Sequence, residues 1–181
     1  MRLTYETNRL ILSILDESYA DTVKQFYEDN FSFFAPYEPA YPEQFFTTDY
    51  QAFLLRAYLK QFLKGEGMRY YLFEKTNPSR IIGCVAFSHI LPGAECSCSI
   101  SYKLDERKQH SGYASEAIRY LLQLLSMELS IHRVEADILP DNESSLRLVK
   151  SLGFQYEGIA KSSHRIQGAW KDHARFALIL E

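Results

Sequence analysis

The sequence predicts a single α/β domain of the α+β kind: a mixed, mostly antiparallel sheet of six to seven strands flanked by about four helices. Three observations lead there. Hydrophobic residues recur at every second position in some stretches and every third or fourth in others, the two periods that separate a half-buried strand from an amphipathic helix. Taken in order, these stretches run β-α-α-β-β-β-α-β-α-β-β. The 181 residues, 46% hydrophobic and 24% charged, match globular averages and contain no linker, repeat or low-complexity segment. Residues 1–181 therefore read as one domain, and a disordered chain, a collagen or a simple coiled coil is excluded.

Arg9 to Leu15 set Leu10, Leu12 and Ile14 against smaller or polar neighbours, a first strand. Asp16 and Ser18 offer N-caps for a helix with Ala20, Val23, Phe26 and Tyr27 on one face. After the proline-punctuated loop FFAPYEPAYPEQ, a second helical pattern runs from Pro42 to about Lys64, where Gly65-Glu66-Gly67 stops it. MRYYLFEK, RIIGCVAFSH and CSCSISYKL then form an antiparallel meander, with turns expected at Asn77-Pro78-Ser79 and Pro92-Gly93. From Gly112 the period changes: Ala114, Ala117, Ile118, Leu121, Leu122, Leu125 and Leu129 mark an amphipathic helix of about four and a half turns. His132 to Leu139 is a strand. Pro140-Asp141-Asn142 introduces a short helix bearing Leu146, Val149 and Leu152 that ends at Gly153. Two last strands, around Gln155 to Lys161 and Trp170 to Leu180, flank a turn at Gln167-Gly168.

Charge and composition narrow the function classes. A net charge of −3 lacks the clustered Lys and Arg of a phosphate-tracking surface, which argues against nucleic acid as a direct partner. No run reaches the roughly 18 apolar residues of a membrane span, and the start has no cleavage signal, so the chain reads as soluble and cytoplasmic. Cys84, Cys96 and Cys98 cannot all pair and have no second ligand pair for zinc; they read as reduced thiols, with no metal site.

A phosphate has a natural seat at the strand-loop-helix junction SYKLDERKQHSGYASEAIRYLL. The first N–H groups of a helix lack intrahelical partners and face outward at the positive end of its dipole. Gly112 marks the approach point, with Ser111 as an ordinary cap in the blander reading. Neither GxxxxGK[ST] nor GxGxxG occurs, which removes Walker-type kinases and Rossmann dehydrogenases.

Gln109-x-x-Gly112-x-Ala114 resembles the Q/R-x-x-G-x-G/A signature of the GNAT superfamily of acetyl-CoA-dependent N-acetyltransferases. Asn142-x-x-Ser145 followed by Ser151-Leu152-Gly153-Phe154 resembles its second landmark, and the element order is the family's. The likeness covers almost the whole chain. TNRLILSIL, FFAPYEP, IHRVEADILPDNESSLRLVKSLGF and YEGIAKSSHRIQGAWKDHARFAL are most similar to the branch that acetylates ribosomal-protein N-termini beginning with Ala or Ser, the last stretch to the alanine type.

The resemblance implies splayed central strands, acetyl-CoA as cofactor and direct attack by an amine in a ternary complex. It implies a cofactor surface of Tyr102, Lys103 and Leu104 for the pantetheine arm, and of Gln109, His110, Ser111, Gly112, Tyr113, Ala114 and Ser115 for the pyrophosphate, with Asn142 and Ser145 beyond. Ser145 is the implied proton donor to the leaving thiolate and Asn142 a positioning group, although Asp141-Asn142-x-x-Ser145 is also good capping chemistry. Three departures stand out: His110 where many relatives have a first loop glycine, Val149 where other branches place a tyrosine acid, and Ser97 and Ser99 where some carry a carboxylate base.

The base is unspecified, and the acceptor explains why it can be. An α-amine with a pKa near 8 is roughly a quarter neutral at pH 7.5, against about one part in a thousand for lysine. A water chain ending at Glu38, His89 or Glu116 would suffice. Glu116 also reads as a charge in a helix's first turn, and His89 as a structural histidine at a strand end. Glu38, between Pro36 and Pro39, is the catalytic candidate, and His164 and Arg165 fall near the acceptor. Phe, Tyr and Trp number 12, 13 and 1, and 16 of them lie between Phe26 and Phe73. Many must be core. Phe33, Phe34, Tyr37 and Tyr41, beside prolines rather than at helical spacing, are expected to form a substrate lid, and Glu38, His89 and His164 are further expected substrate-binding residues. The expected acceptor is a protein N-terminus, such as that of a ribosomal protein. The alternatives are a small amine such as a polyamine or antibiotic, or a non-catalytic acyl-CoA-binding module. A monomer or homodimer is expected.

Overall fold

Tyr70 and Leu72 point to one side of the molecule and Tyr71 and Phe73 to the other, and all four are buried. Successive strand residues face opposite ways, so this strand lies inside a sheet covered on both faces. A computed structural model describes residues 1–180. Among these, eight strands form one sheet in the order β1-β2-β3-β4-β5-β6-β8-β7, with five α-helices packed about it.

The elements are β1 (Thr4–Glu6), β2 (Leu10–Ser13), α1 (Ala20–Asp29), α2 (Phe31–Phe34), α3 (Thr48–Lys64), β3 (Met68–Glu74), β4 (Asn77–Leu91), β5 (Ser97–Leu104), α4 (Tyr113–Leu129), β6 (Arg133–Ile138), α5 (Glu143–Ser151), β7 (Gln155–Ile166) and β8 (Ala169–Ile179). All pairings are antiparallel except β5 with β6. The sheet thus has the expected mixed character, with one strand more than the periodicity reveals. β1 is only three residues long and buries only Tyr5, too little to make a pattern. The additional helix, α2, is a single turn.

One turn is displaced from its expected place. Lys75-Thr76 closes the β3–β4 hairpin, and Asn77 already pairs with Glu74, so Asn77-Pro78-Ser79 lies in the strand. Proline is tolerated there because it stands at the strand's first residues. Elsewhere local chemistry matches local structure. Thr47 caps α3 by accepting from the Tyr50 N–H, and Gly65 ends that helix at φ 72°, a left-handed conformation natural to glycine.

Two apolar layers result. On one face α4 and α5 bring Ile118, Leu121, Leu125 and Val149 against Leu12, Tyr70, Val85 and Ile100. On the other, α1, α2, α3 and the 3₁₀ turn Glu43–Phe46 before α3 pack Val23, Phe26, Tyr27, Phe34, Phe45 and Leu55 against Tyr71, Phe73 and Cys84. The aromatic surplus is mostly this second layer. Tyr41 belongs to it: its ring stacks on Phe45 at 4.1 Å and meets Tyr27, Phe31 and Phe46 edge-on or tilted.

Candidate active site

The site is made by two strands that stop pairing. β5 and β6 are joined only from Ser97 to Ser99 opposite Arg133 to Glu135; beyond that, Ile100–Leu104 and Ala136–Ile138 diverge. A cavity of about 460 Å³ fills the gap. Its walls are those two diverging segments, the first turns of α4 and α5, the segment carrying Phe33, Phe34, Tyr37 and Glu38, and His173 of β8. The Tyr102 hydroxyl donates to the Ser145 carbonyl at 3.3 Å, tying β5 to α5 across the opening. Burial pushes that phenol up to about 12, so it remains a neutral tie.

At one end lies the loop before α4. Gln109 closes it by donating from Nε2 to the Leu104 carbonyl, and Ser111 Oγ donates back to the Gln109 carbonyl rather than capping the helix. The N-cap is instead Gly112, at φ 78° and with no side-chain cap, so the opening N–H groups of α4 stay available to an anion. His110, in the place of a first loop glycine, takes φ 58°; the loop does use the left-handed region there, at a cost of about 1–2 kcal/mol for a residue with a β-carbon.

This strained loop is braced from beneath. Arg9 donates from Nη1 to the Ser111 carbonyl at 2.9 Å, pairs with Glu116 at 2.7 Å and lies 4.4 Å over the Tyr113 ring. Glu74 accepts from Lys108 and from the Tyr113 hydroxyl, both at 2.6 Å, and these two bonds hold its carboxyl below the usual carboxylate range. Burial works against ionisation of Glu116, but hydrogen bonds from Thr7 and Arg9 outweigh it and keep its carboxyl low. Glu116 is a fully engaged strut.

At the other end stands the segment expected to form a lid. Asn30, buried where α1 ends, donates to the Phe26 carbonyl and accepts from the Glu106 N–H, so the lid leaves a fixed point beside β5. Glu38 forms a 2.8 Å ion pair with Lys103 of β5, both side chains largely covered. Gln167, in the β7–β8 turn, donates from Nε2 to the carbonyls of Ala35 and Glu38. Nearby, Asp137 pairs with Arg175 at 3.2 Å.

Of the residues singled out from sequence, the cavity gathers Phe33, Phe34, Tyr37, Glu38, Tyr102, Lys103, Leu104, Gln109, His110, Gly112, Ala114, Ser115, Asn142 and Ser145. It does not gather Ser111 and Tyr113, which brace the loop, or Tyr41, which packs in the aromatic layer. His89 is exposed in a bulge of β4 at φ 51°, where pairing with β5 shifts between Ser88 and Leu91, at the level where β5 is still joined to β6, and it does not line the cavity. His164 lies one residue layer behind the wall, its ring 4.4 Å from that of His173. Asn142 caps α5 by accepting from the Ser145 N–H and Ser144 Oγ, while Ser145 Oγ has no protein partner among the described residues. Val149 is fully buried core.

Sequence reasoning left out Asp137, Ser144, Arg147 and His173 as lining residues. Ser144 and Arg147 are three apart on α5 and share a face, a signal that was present. Asp137 and His173 come together only through the β6–β8 register, where Asp137 pairs with Arg175.

The GNAT acetyltransferase domain model matches residues 9–155. The chain belongs to that family. This GNAT chain is 30% identical over 179 residues to the [ribosomal protein uS5]-alanine N-acetyltransferase of Escherichia coli (strain K12), covering 98% of this chain and 90% of that one. It superposes with a TM-score of 0.92 on the ribosomal-protein-S5-alanine acetyltransferase from Vibrio fischeri, 26% identical, covering 98% and 97% of the two chains. The fold is shared at TM-score 0.87 and 20% identity with Mycobacterium smegmatis RimJ in complex with CoA-disulfide, over 94% and 81% of the chains. The protein is thus an acetyl-CoA-dependent N-acetyltransferase, and its residues fit that cofactor: an uncapped helix start for the phosphates and an unpaired strand edge for an amide-bearing arm. Among the described residues, no helix is long and apolar enough to cross a membrane and no cluster of side chains is suited to a metal.

Proposed function

We propose that this enzyme acetylates the α-amine of a protein N-terminus that begins with a small residue, Ala or Ser, as on a ribosomal protein met in the cytoplasm. The observation that carries this reading is the charge balance of the acceptor end. Its two acidic lining residues are both paired, Glu38 with Lys103 and Asp137 with Arg175. A polyamine needs free carboxylates for its several charges, whereas a peptide N-terminus brings one ammonium with a pKa near 8 that is readily neutralised. The alanine N-acetyltransferases among the relatives support the same acceptor.

Acetyl-CoA, when bound, supplies the activated acetyl group and a thiol leaving group. The first N–H groups of α4 and the left-handed loop at His110 and Gly112 hold the phosphates, with Gln109, Ala114 and Ser115 around them. The free edge of β5 from Tyr102 to Leu104 aligns the pantetheine arm. Ser145 Oγ, positioned by the Asn142 cap of α5, delivers a proton to the departing sulfur. Phe33, Phe34 and Tyr37 cover the acceptor end and exclude water, and Glu38 fastens that cover to β5.

Incubation with acetyl-CoA and Ala-, Ser- and Met-initiated peptides, beside spermidine and an aminoglycoside, tests the reading. Ala or Ser peptides should turn over at least tenfold faster in kcat/KM than the small amines. Preferential acetylation of a small amine overturns it.

A further inference from the structure

One buried titratable group lines the cavity without a part in the steps proposed for acetyl transfer. His173 is 5% exposed, lines the cavity from β8, and is the one histidine besides the loop's His110 to do so. Its Nδ1 lies 3.2 Å from Ser163 Oγ and 3.3 Å from the Lys171 carbonyl. A carbonyl only accepts, so Nδ1 carries the hydrogen and Nε2 keeps its lone pair. Ser163 Oγ, accepting from His173, is 3.0 Å from Nδ1 of His164, which is exposed. The hairpin is deformed to achieve this: β7 slips register between Ala160 and His164, and Ser162 takes φ 47°, its N–H held by Asp172. A bulge that re-aims side chains beside a cavity is a built feature of a site.

From this geometry we infer that His173 is the proton acceptor for the incoming ammonium, and that Ser163 and His164 form its outlet to solvent. The inference rests on the reading that an amine enters beside the lid. An N–H bond of the ammonium breaks, its electron pair stays on nitrogen, and the proton joins Nε2 of His173. The Nδ1 proton passes to Ser163 Oγ as the Oγ proton passes to Nδ1 of His164, and His164 gives its Nε2 proton to water. One proton has left the amine and one has reached solvent; exchange with water resets the two tautomers.

The groups facing the ring suit this task. Burial first and the neighbouring His164 second lower the His173 pKa, outweighing the hydrogen bond to the Lys171 carbonyl and the charges of Asp137 and Asp141, which raise it. Asp172 is held by Lys161, Asp137 by Arg175 and Glu38 by Lys103, so no unpaired carboxylate among the cavity's lining side chains traps the proton. His173 therefore stays neutral near pH 7, ready to accept.

Two readouts separate this inference from the choice of acceptor. Nitrogen-correlated NMR of the imidazoles in the CoA-loaded protein should give the Nδ1–H tautomer for His173 and a titration below 6.5 that is coupled to His164; an Nε2–H tautomer overturns the relay whatever the acceptor. With the best amine of the panel, His173→Ala should lose about 10²–10³-fold in kcat, leave the KM for acetyl-CoA unchanged and recover at least tenfold with added imidazole. Ser163→Ala, at a half-buried position, should lower kcat severalfold and flatten its acid limb. Full activity in both variants at every pH, or loss in His173→Ala that imidazole does not restore, overturns the inference. Preference of the wild type for a small amine overturns only the N-terminal acceptor.

Discussion

The two ends of the cavity are built by opposite means. The end proposed for the cofactor is local and made of main chain: a strand edge, a left-handed loop and a helix start within Tyr102 to Ser115, with side chains serving as braces beneath. The end proposed for the acceptor is made of side chains from four separated places, Phe33–Glu38, Lys103, Asp137 and Ser163–Arg175, joined by ion pairs and single hydrogen bonds. Backbone amides suit a cofactor that never changes, because they cannot be altered by substitution. Side chains on a lid and a hairpin suit an acceptor that differs between relatives.

The largest expected effect comes where the two ends share a strand. A β-carbon at Gly83 would stand 2.5 Å from the Lys103 carbonyl, with β4 and β5 already paired there. Gly83→Ala should cost about 1–3 kcal/mol of stability, lowering Tm by roughly 2–12 °C, and should weaken both CoA and acceptor binding. Calorimetry with both ligands checks this; damage to one end alone would show that β5 does not couple them.

Next is Gly112→Val, which forces a β-branched residue to φ 78° beside Arg9 Nη2. CoA affinity should fall about tenfold or more while the acceptor KM measured at saturating acetyl-CoA stays the same. The reciprocal pair is Glu38→Gln and Gln167→Ala. Each should raise the acceptor KM about fivefold, on the order of 1 kcal/mol, with CoA affinity unchanged in titration. An equal loss of CoA affinity would erase the distinction between the ends.

The smallest effect is in pH. Because the folded His173 pKa lies below its ordinary 6.5, its contribution to stability is complete above about pH 6.5 and is lost as pH falls through the lower folded value. Glu74 and Glu116 are also depressed, so theirs is lost only below about pH 4.5. Denaturant midpoints between pH 7 and 5 should decline in the wild type and decline less in His173→Asn.

The contrast between ends also decides what could be read from sequence. The loop proposed for the cofactor stood out by its resemblance to a family signature, Gln109, Gly112 and Ala114 lying within six residues of chain, and Gly112 does take a left-handed conformation there. The helices were legible from apolar spacing and from Gly65 as a stop. β1 was not, since three residues cannot display a period, and the β3–β4 turn was misplaced because Pro78 looks like a turn residue whichever side of the bend it occupies. At the acceptor end, Phe33 and Tyr37 stood out beside prolines, but so did Tyr41, and only packing separates a lid from the layer beneath it. His173 had no local mark: its partners are a bulge on the next strand and an aspartate two strands away in the chain's order.

Gln167, a single side chain in the β7–β8 turn, grips the carbonyls of Ala35 and Glu38, and the strands on either side of that turn carry His164 and His173. Were Phe33–Glu38 to lift as the lid proposed for the acceptor, they would pull on the hairpin that bears both rings, and seating them would return it. An acceptor that fits beneath Phe33 and Tyr37 would settle the histidines as it settles itself, whereas a poorly fitting one would leave them slack, so that discrimination among acceptors is felt in turnover as much as in binding.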